Sequence, residues 1–440
     1  MPRCASAPSA ACWRSAAAAR CDARRARAQS RAEPARLRRR PAAPAARARG
    51  RCRAAVAPRG ARPIQGNPRV TLLPDVDRIL LGPGPSLTSP RVMRAMASPT
   101  VSHLDPLMLR LLDDVRARLA RVFRAVDGSF AFAVSGTGTS GMETAVSNLV
   151  RDGSRAAVVV SGYFGDRLAQ MCERYGAAVS RVDVEWGRAC DPDALRRHLN
   201  ANGADVVAMV HAETSTGVCN PVREMAAVAR DHGALTIVDA VTSLGGVPLD
   251  VGAWGIDACY SCTQKCLGGP SGLAPIVFGP RALEQRVKGR SFYFDLSLLE
   301  DYWLRRKYHH TMSSALVCAL YESLAIVEEE GLDARWARHE RNHRMLVASL
   351  AELGLTLLPA EADRLWTLNA VRVPDGVDEP TARKHLLDEF NIEIGAGLGP
   401  LAGKIWRVGL MGAGSAPRLV LLLRGAFESA LAKQGRHVHA

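Results

Sequence analysis

Long hydrophobic runs are missing from this chain of 440 residues. The most apolar stretch, Leu419 to Leu423, is stopped by Arg424, far short of the roughly 18 apolar residues a spanning helix needs. No membrane partner is therefore expected. A cysteine framework is missing too. Of 11 cysteines, Cys4, Cys12, Cys21 and Cys52 lie in the first 60 residues, and the other seven are scattered. That excludes a disulfide scaffold and suits free thiols in a reducing compartment. Acidic residues are nearly absent from the start of the chain. Residues 1–60 hold 16 arginines against Asp22 and Glu33 alone, so they carry nearly all of the net charge of +15. The remainder is close to neutral, which removes the basic folded face that a nucleic-acid partner would need. Glycine and proline are near ordinary usage, with 38 and 25 residues, which excludes collagen-like and wholly disordered classes.

Residues 1–62 are mostly Ala, Arg, Pro and Ser, a composition that buries too little apolar surface to offset the entropy of ordering. They read as a disordered extension with three alternatives for its origin. Arg-rich, acid-poor text is that of an organelle transit peptide. It is also what an upstream start codon in a GC-rich gene yields, as 52 arginines against six lysines suggest. A nucleic-acid arm is the third. The expected plan is an extension over 1–62, an arm over 63–85, a large domain over 86–330 and a smaller C-terminal domain over 331–440, with the boundary near Gly331. Short β-branched runs alternating with helical text predict an α/β fold whose mostly parallel sheet is covered on both faces. The expected strands are Phe130–Val134, Ala156–Val160, Val206–His211, Leu235–Asp239, Ile256–Ser261 and Ala274–Phe278. The expected helices include Gly141–Val150, Gly165–Tyr175, Asp191–Asn200, Val222–His232 and Ser314–Glu330. The second unit holds helix Ala334–Leu353, strand Thr367–Val373, helix Glu379–Phe390 and a final helix.

In an open parallel sheet, ligands sit beyond the carboxyl ends of the strands. Five such junctions are chemically loaded here, and three of them carry the argument. Ser135-Gly-Thr-Gly-Thr-Ser-Gly141 leads from a strand into a helix and suits a phosphate, although a glycine-rich turn alone is equally plain geometry. Asp239 ends an apolar strand, where a carboxylate needs a partner or serves as a cap. Lys265 stands among small and apolar residues, where its amine would have a lowered pKa and could form a Schiff base; taken singly, it is equally a snorkelling surface lysine. Together a phosphate cradle, an acid and an amine are what pyridoxal 5′-phosphate requires. Cys259, Cys262 and Cys266 have metal-like spacing, but they straddle Lys265 and lack a clear fourth ligand, so no metal is expected. A nicotinamide enzyme would leave Lys265 unexplained and lacks a clean G-x-G-x-x-G.

The stretches Leu81-Gly-Pro-Gly-Pro85, Ser102-His-Leu-Asp-Pro106, Ser135-Gly-Thr-Gly-Thr139, Gly162-Tyr-Phe-Gly-Asp-Arg167, Glu213-Thr-Ser-Thr-Gly217, Val238-Asp-Ala-Val-Thr-Ser-Leu-Gly-Gly246, Thr263-Gln-Lys-Cys266, Tyr308-His-His-Thr311, Gly395-Ala-Gly-Leu-Gly399 and Arg407-Val-Gly-Leu410 carry a family resemblance. From Leu80 to about Leu431 the chain resembles the class V, fold-type I aminotransferases of the alanine–glyoxylate / serine–glyoxylate (serine–pyruvate) group. The resemblance implies pyridoxal 5′-phosphate held by Lys265, with Asp239 on the ring nitrogen and Phe164 stacked on the ring. It also implies Thr137, Gly138, Thr139 and Gln264 at the phosphate, and Thr214 at the ring hydroxyl. Arg407 and Gly84 would meet the substrate. Tyr308 and Thr311 would reach the phosphate of a neighbouring subunit in a homodimer, with Leu80 to Pro85 beginning an arm over that subunit. The implied reaction is transamination of glyoxylate to glycine with alanine or serine as donor. A ureidoglycine–glyoxylate transaminase on the same scaffold is the alternative, which Val184-Glu-Trp-Gly187 and Ala208-Met-Val-His211 also resemble. The C-terminal His437-Val-His-Ala440 is not a Ser-Lys-Leu signal, so the cytoplasm is the expected compartment, or an organelle if the extension is a transit peptide.

Overall fold

A computed structural model describes residues 78–436. The readings made for residues 1–62, for most of the 63–85 arm and for His437–Ala440 lie outside them. The strands are β1 (Ile79–Leu80), β2 (Phe130–Ser135), β3 (Arg155–Val160), β4 (Ala178–Asp183), β5 (Val206–Val210), β6 (Ala212–Glu213), β7 (Val218–Cys219), β8 (Leu235–Asp239), β9 (Ala258–Tyr260), β10 (Leu273–Phe278), β11 (Leu368–Arg372), β12 (Ile392–Glu393), β13 (Gly395–Ala396) and β14 (Ile405–Gly409). The helices are α1 (Pro90–Met96), α2 (Pro106–Val122), α3 (Gly138–Leu149), α4 (Tyr163–Arg174), α5 (Pro192–Asn202), α6 (Val222–Asp231), α7 (Pro280–Glu284), α8 (Leu296–Arg305), α9 (Ser314–Glu330), α10 (Leu332–Glu352), α11 (Glu379–Phe390) and α12 (Pro417–Ala432).

Seven strands form the main sheet in the order β2-β10-β9-β8-β5-β3-β4. All run parallel except β10, which is antiparallel to both neighbours. Strands β5, β8 and β10 are buried along their whole length, as expected for a sheet covered on both faces. The reversal of β10 follows from the Lys265 segment. The chain leaves β9, turns through residues 261–272 at the carboxyl edge and returns directly into the sheet. The predicted strand Ile256–Ser261 is shorter in the structure because Asp257 turns its carboxylate to Thr236, accepting from its amide at 2.8 Å and its hydroxyl at 3.0 Å.

The carboxyl ends of β2, β8 and β9 therefore lie together with the start of β10. Helix α3 begins at Gly138, earlier than its apolar periodicity indicates, so Thr137 is its cap and Thr139 sits in its first turn. The cap makes no side-chain hydrogen bond, which leaves the first amides of the helix open to an anion. A second antiparallel sheet, β11-β14-β13, lies in the C-terminal part with its own apolar cluster around Trp406, Phe427 and Leu386. Helices α9 and α10 meet at Gly331, whose φ of +76° favours glycine. The described end of the expected arm pairs within its own chain: β1 runs parallel to β12, and Gly409 donates to the Leu81 carbonyl at 2.8 Å.

Candidate active site

The carboxyl edge of the main sheet encloses a cavity of about 580 Å³, including its solvent-open part, lined by Thr137, Gly138, Thr139, Phe164, Thr214, Asp239, Gln264 and Lys265. These residues come from five separate segments, each delivered by the end of a strand or the start of a helix. Lys265 is largely buried, and burial lowers its pKa, opposed by Cys262, Cys266 and Asp239 and reinforced by the nearby Arg407 charge. Its Nζ donates to the Pro83 carbonyl. Ser86 closes the same loop over the lysine turn, with its amide on the Gln264 carbonyl at 2.9 Å and its Oγ on the Lys265 carbonyl at 2.7 Å. Gly84, at φ +114°, lies so close that a Cβ there would overlap Lys265 Nζ.

Asp239 is 3% exposed. Its Oδ1 accepts from the Val241 amide at 2.8 Å and its Oδ2 from the Tyr260 hydroxyl at 2.9 Å. Burial nevertheless pushes its pKa up to about 6, so the carboxylate is short of a cation. In the same lining the Thr137 and Thr139 hydroxyls stand at the open start of α3, where Gly138 lies against Val241 and Cys262. Gln264 Oε1 is buried without a partner, which leaves that amide hydrogen-bonding capacity for a bound group. A buried amine, an acid lacking a cation and an anion cradle in one cavity fit a group that carries an aldehyde, a basic ring nitrogen and a phosphate. Arg407, on β14, lies behind Thr214: its Nε donates to the Ala396 carbonyl at 2.6 Å and its Nη1 to the Thr214 carbonyl at 3.4 Å. Burial lowers its pKa to about 10, against the attraction of Glu213.

Of the expected residues, Gly84 and Arg407 touch lining residues, Lys265 and Thr214, without lining the cavity themselves, and two more are not brought to it. Tyr308 is 64% exposed and Thr311 is exposed on the segment after α8. Other residues, inconspicuous in the sequence, do reach the site. Arg167 lines the cavity, lies 5.1 Å from the centre of the Phe164 ring and donates to Thr139 Oγ1 at 3.4 Å. Its place three residues after Phe164 on one helix is the available signal. Tyr260 and Glu213 act through contacts that no local pattern encodes.

Fold and cavity together are those of an α/β protein with a ligand-sized pocket at the carboxyl edge of its main sheet. Residues 80–406 match the aminotransferase class-V family, and the chain belongs to it and is a transaminase. It is 35% identical over 386 residues to (S)-ureidoglycine–glyoxylate transaminase of Bacillus subtilis, covering 82% of this chain and 92% of that one. It is 36% identical over 345 residues to alanine–glyoxylate aminotransferase of Drosophila melanogaster, covering 76% and 87%. The crystal structure of alanine–glyoxylate aminotransferase from Nostoc sp. superposes with a TM-score of 0.80 at 43% identity, over 82% of this chain and 97% of that chain. The architecture is that of the fold-type I aminotransferases.

Proposed function

We propose that this transaminase uses pyridoxal 5′-phosphate to convert glyoxylate to glycine, with alanine or serine as amino donor. The observation that carries the reading is that the largely buried Lys265 lines one cavity with Asp239 and the open start of α3. Bound there, the cofactor supplies an electron sink for a negative charge developing at the substrate Cα. Thr137, Gly138, Thr139 and Gln264 would hold its phosphate, and Phe164 and Thr214 would hold its ring. Asp239 would keep a proton on the ring nitrogen, which would supply the cation this buried carboxylate lacks. Lys265, whose amine burial biases toward the neutral form, would take the proton from the substrate Cα and deliver it across the amino nitrogen to the cofactor's aldehyde carbon. Arg407 would hold the substrate carboxylate with its planar fork, and the Gly84 backbone, packed on Lys265, would also meet the substrate.

In this reading the exposed Tyr308 and Thr311 serve the phosphate of a second copy, so the working enzyme is a homodimer. The seven cysteines of the described residues are free, which supports a reducing compartment, taken here as the cytoplasm. Among the described residues no helix is long and apolar enough to cross a membrane. The second donor reading, ureidoglycine, is favoured by the Bacillus subtilis relative, 92% of whose length is matched.

The test is the visible spectrum of the purified protein loaded with pyridoxal 5′-phosphate, recorded before and after separate additions of L-alanine, L-serine and ureidoglycine. A yellow band that Lys265→Ala lacks, bleached by alanine or serine and restored by glyoxylate with release of glycine, is expected. Bleaching by ureidoglycine alone would transfer the assignment to that donor. A band and turnover unchanged in Lys265→Ala would overturn the lysine assignment.

A further inference from the structure

Glu213 is a carboxylate with no exposed surface, and no lysine or arginine among the described residues forms an ion pair with it. A charge in such a place is stable only where hydrogen bonds replace its lost water. Its donors come from two places. Within its own turn it accepts from the Ser215 amide at 3.1 Å and the Ser215 hydroxyl at 2.5 Å. From across the sheet it accepts from the Phe164 amide at 3.2 Å and the Gly165 amide at 3.1 Å. Ser215 Oγ also takes the Tyr163 amide at 2.9 Å. The first three amides of α4 are thus satisfied by a turn some 50 residues away in the chain.

Helix α4 has no cap of its own, since its cap position is Gly162. A side chain there would displace the arrangement: a Cβ on Gly162 would fall 2.5 Å from Glu213 Cγ and overlap Ser215 Oγ. The capping therefore comes from outside the helix, and the helix it caps carries Phe164 and Arg167 into the cavity. The residue after Glu213 is Thr214, which lines the same cavity and whose carbonyl accepts from Arg407 Nη1 at 3.4 Å.

We infer that Glu213 is a positioning residue that locks the Phe164 helix, Thr214 and Arg407 into one rigid frame for cofactor ring and substrate carboxylate. The inference rests on the pyridoxal phosphate reading above. Glu213→Gln keeps the size of the side chain but turns one acceptor into a donor that faces the α4 amides, so the frame opens without emptying the core.

The experiment compares wild type, Glu213→Gln and Asp257→Asn, each titrated with pyridoxal 5′-phosphate. The readouts are visible circular dichroism of the bound cofactor, its dissociation constant and thermal stability. Asp257 is also a buried carboxylate accepting from an amide and a hydroxyl, both of Thr236, and it does not line the cavity. Glu213→Gln is expected to weaken cofactor binding about tenfold and to change the sign or amplitude of the visible band, while Asp257→Asn destabilises the fold and leaves both unchanged. Should Glu213→Gln fail to fold, Ser215→Ala removes the bond to the Tyr163 amide and is expected to shift the same band in the same direction. An unchanged band and dissociation constant in the folded Glu213 variant, or in Ser215→Ala where it stands in, would overturn the inference alone. Wild-type protein that shows no cofactor band overturns the functional reading and this inference with it.

Discussion

Asp239 shows how a single position trades stability for binding. The unfolded chain ionises this side chain near 3.8, whereas burial holds the folded form at about 6. Between those values the native state carries a proton that the unfolded state has lost. Stability of the cofactor-free protein from this group is full below pH 4, falls as the pH rises, and levels off above 6. Asp239→Asn does not titrate. Relative to wild type, its cofactor-free form is expected to gain nothing below pH 4 and up to about 3 kcal/mol above pH 6, while losing cofactor retention. Urea titrations of both proteins from pH 4 to 8 measure this; a stability difference that does not change with pH would mean an ordinary pKa. Lys265, Asp239 and the Ser135–Thr139 turn were legible in the sequence because each stands at the end of an apolar strand, where a polar side chain is conspicuous. Glu213 and Tyr260 were not. Their partners, Phe164 and Asp239, lie 49 and 21 positions away, and a function made by long-range contact leaves no local pattern.

At the scale of elements, the buried strands were legible for the same reason: β8 and the helices α9 and α11 have the bounds their patterns indicate. The exposed edge strand β4 was not, since its alternating Ala-Val-Ser-Arg-Val-Asp carries little apolar signal. The direction of β10 was also hidden, because periodicity marks a strand and leaves its orientation open. Helix α10 matters beyond its own packing through Arg335. Its buried guanidinium donates to the Gly245 carbonyl at 3.1 Å, the Cys266 carbonyl at 2.6 Å and Glu330 at 2.6 Å. The helix thereby fastens the turn after Asp239 to the turn that holds Lys265. Arg335→Met leaves Glu330 paired with Arg338 at 2.6 Å but strands two buried carbonyls, for an expected loss of about 2–5 kcal/mol. Hydrogen exchange over residues 243–247 and 263–269 is expected to accelerate, with α5 unaffected. Equal protection of the two turns in both proteins would show that α10 does not hold them.

Across the whole molecule, buried histidines held in neutral form subtract stability as the pH falls. His339, on α10, accepts from the Gly412 amide at Nε2, 3.2 Å away, so the proton of its ring sits on Nδ1 and goes to the Arg335 carbonyl at 2.8 Å. A second proton would face the Gly412 amide directly. Burial, helped by Arg335 and Arg338, lowers its pKa to about 3, and burial alone lowers that of His211, edge-on to Trp254, to about 4. The sign is opposite to that of Asp239. Both imidazoles are neutral in either state above pH 6.5, and there the stability they contribute is complete. As the pH falls the unfolded chain takes up two protons that the native state refuses, so stability is lost from about 6.5 down to the folded values. Each histidine contributes a slope of about 1.4 kcal/mol per pH unit in that window. His339→Gln cannot take up the proton. It is expected to cost stability at pH 7 but to flatten the fall between pH 6 and 4 by that slope, read from urea midpoints at each pH. A variant whose stability falls in parallel with wild type would place the acid sensitivity elsewhere, in groups other than the buried ring that joins α10 to the loop at Gly412.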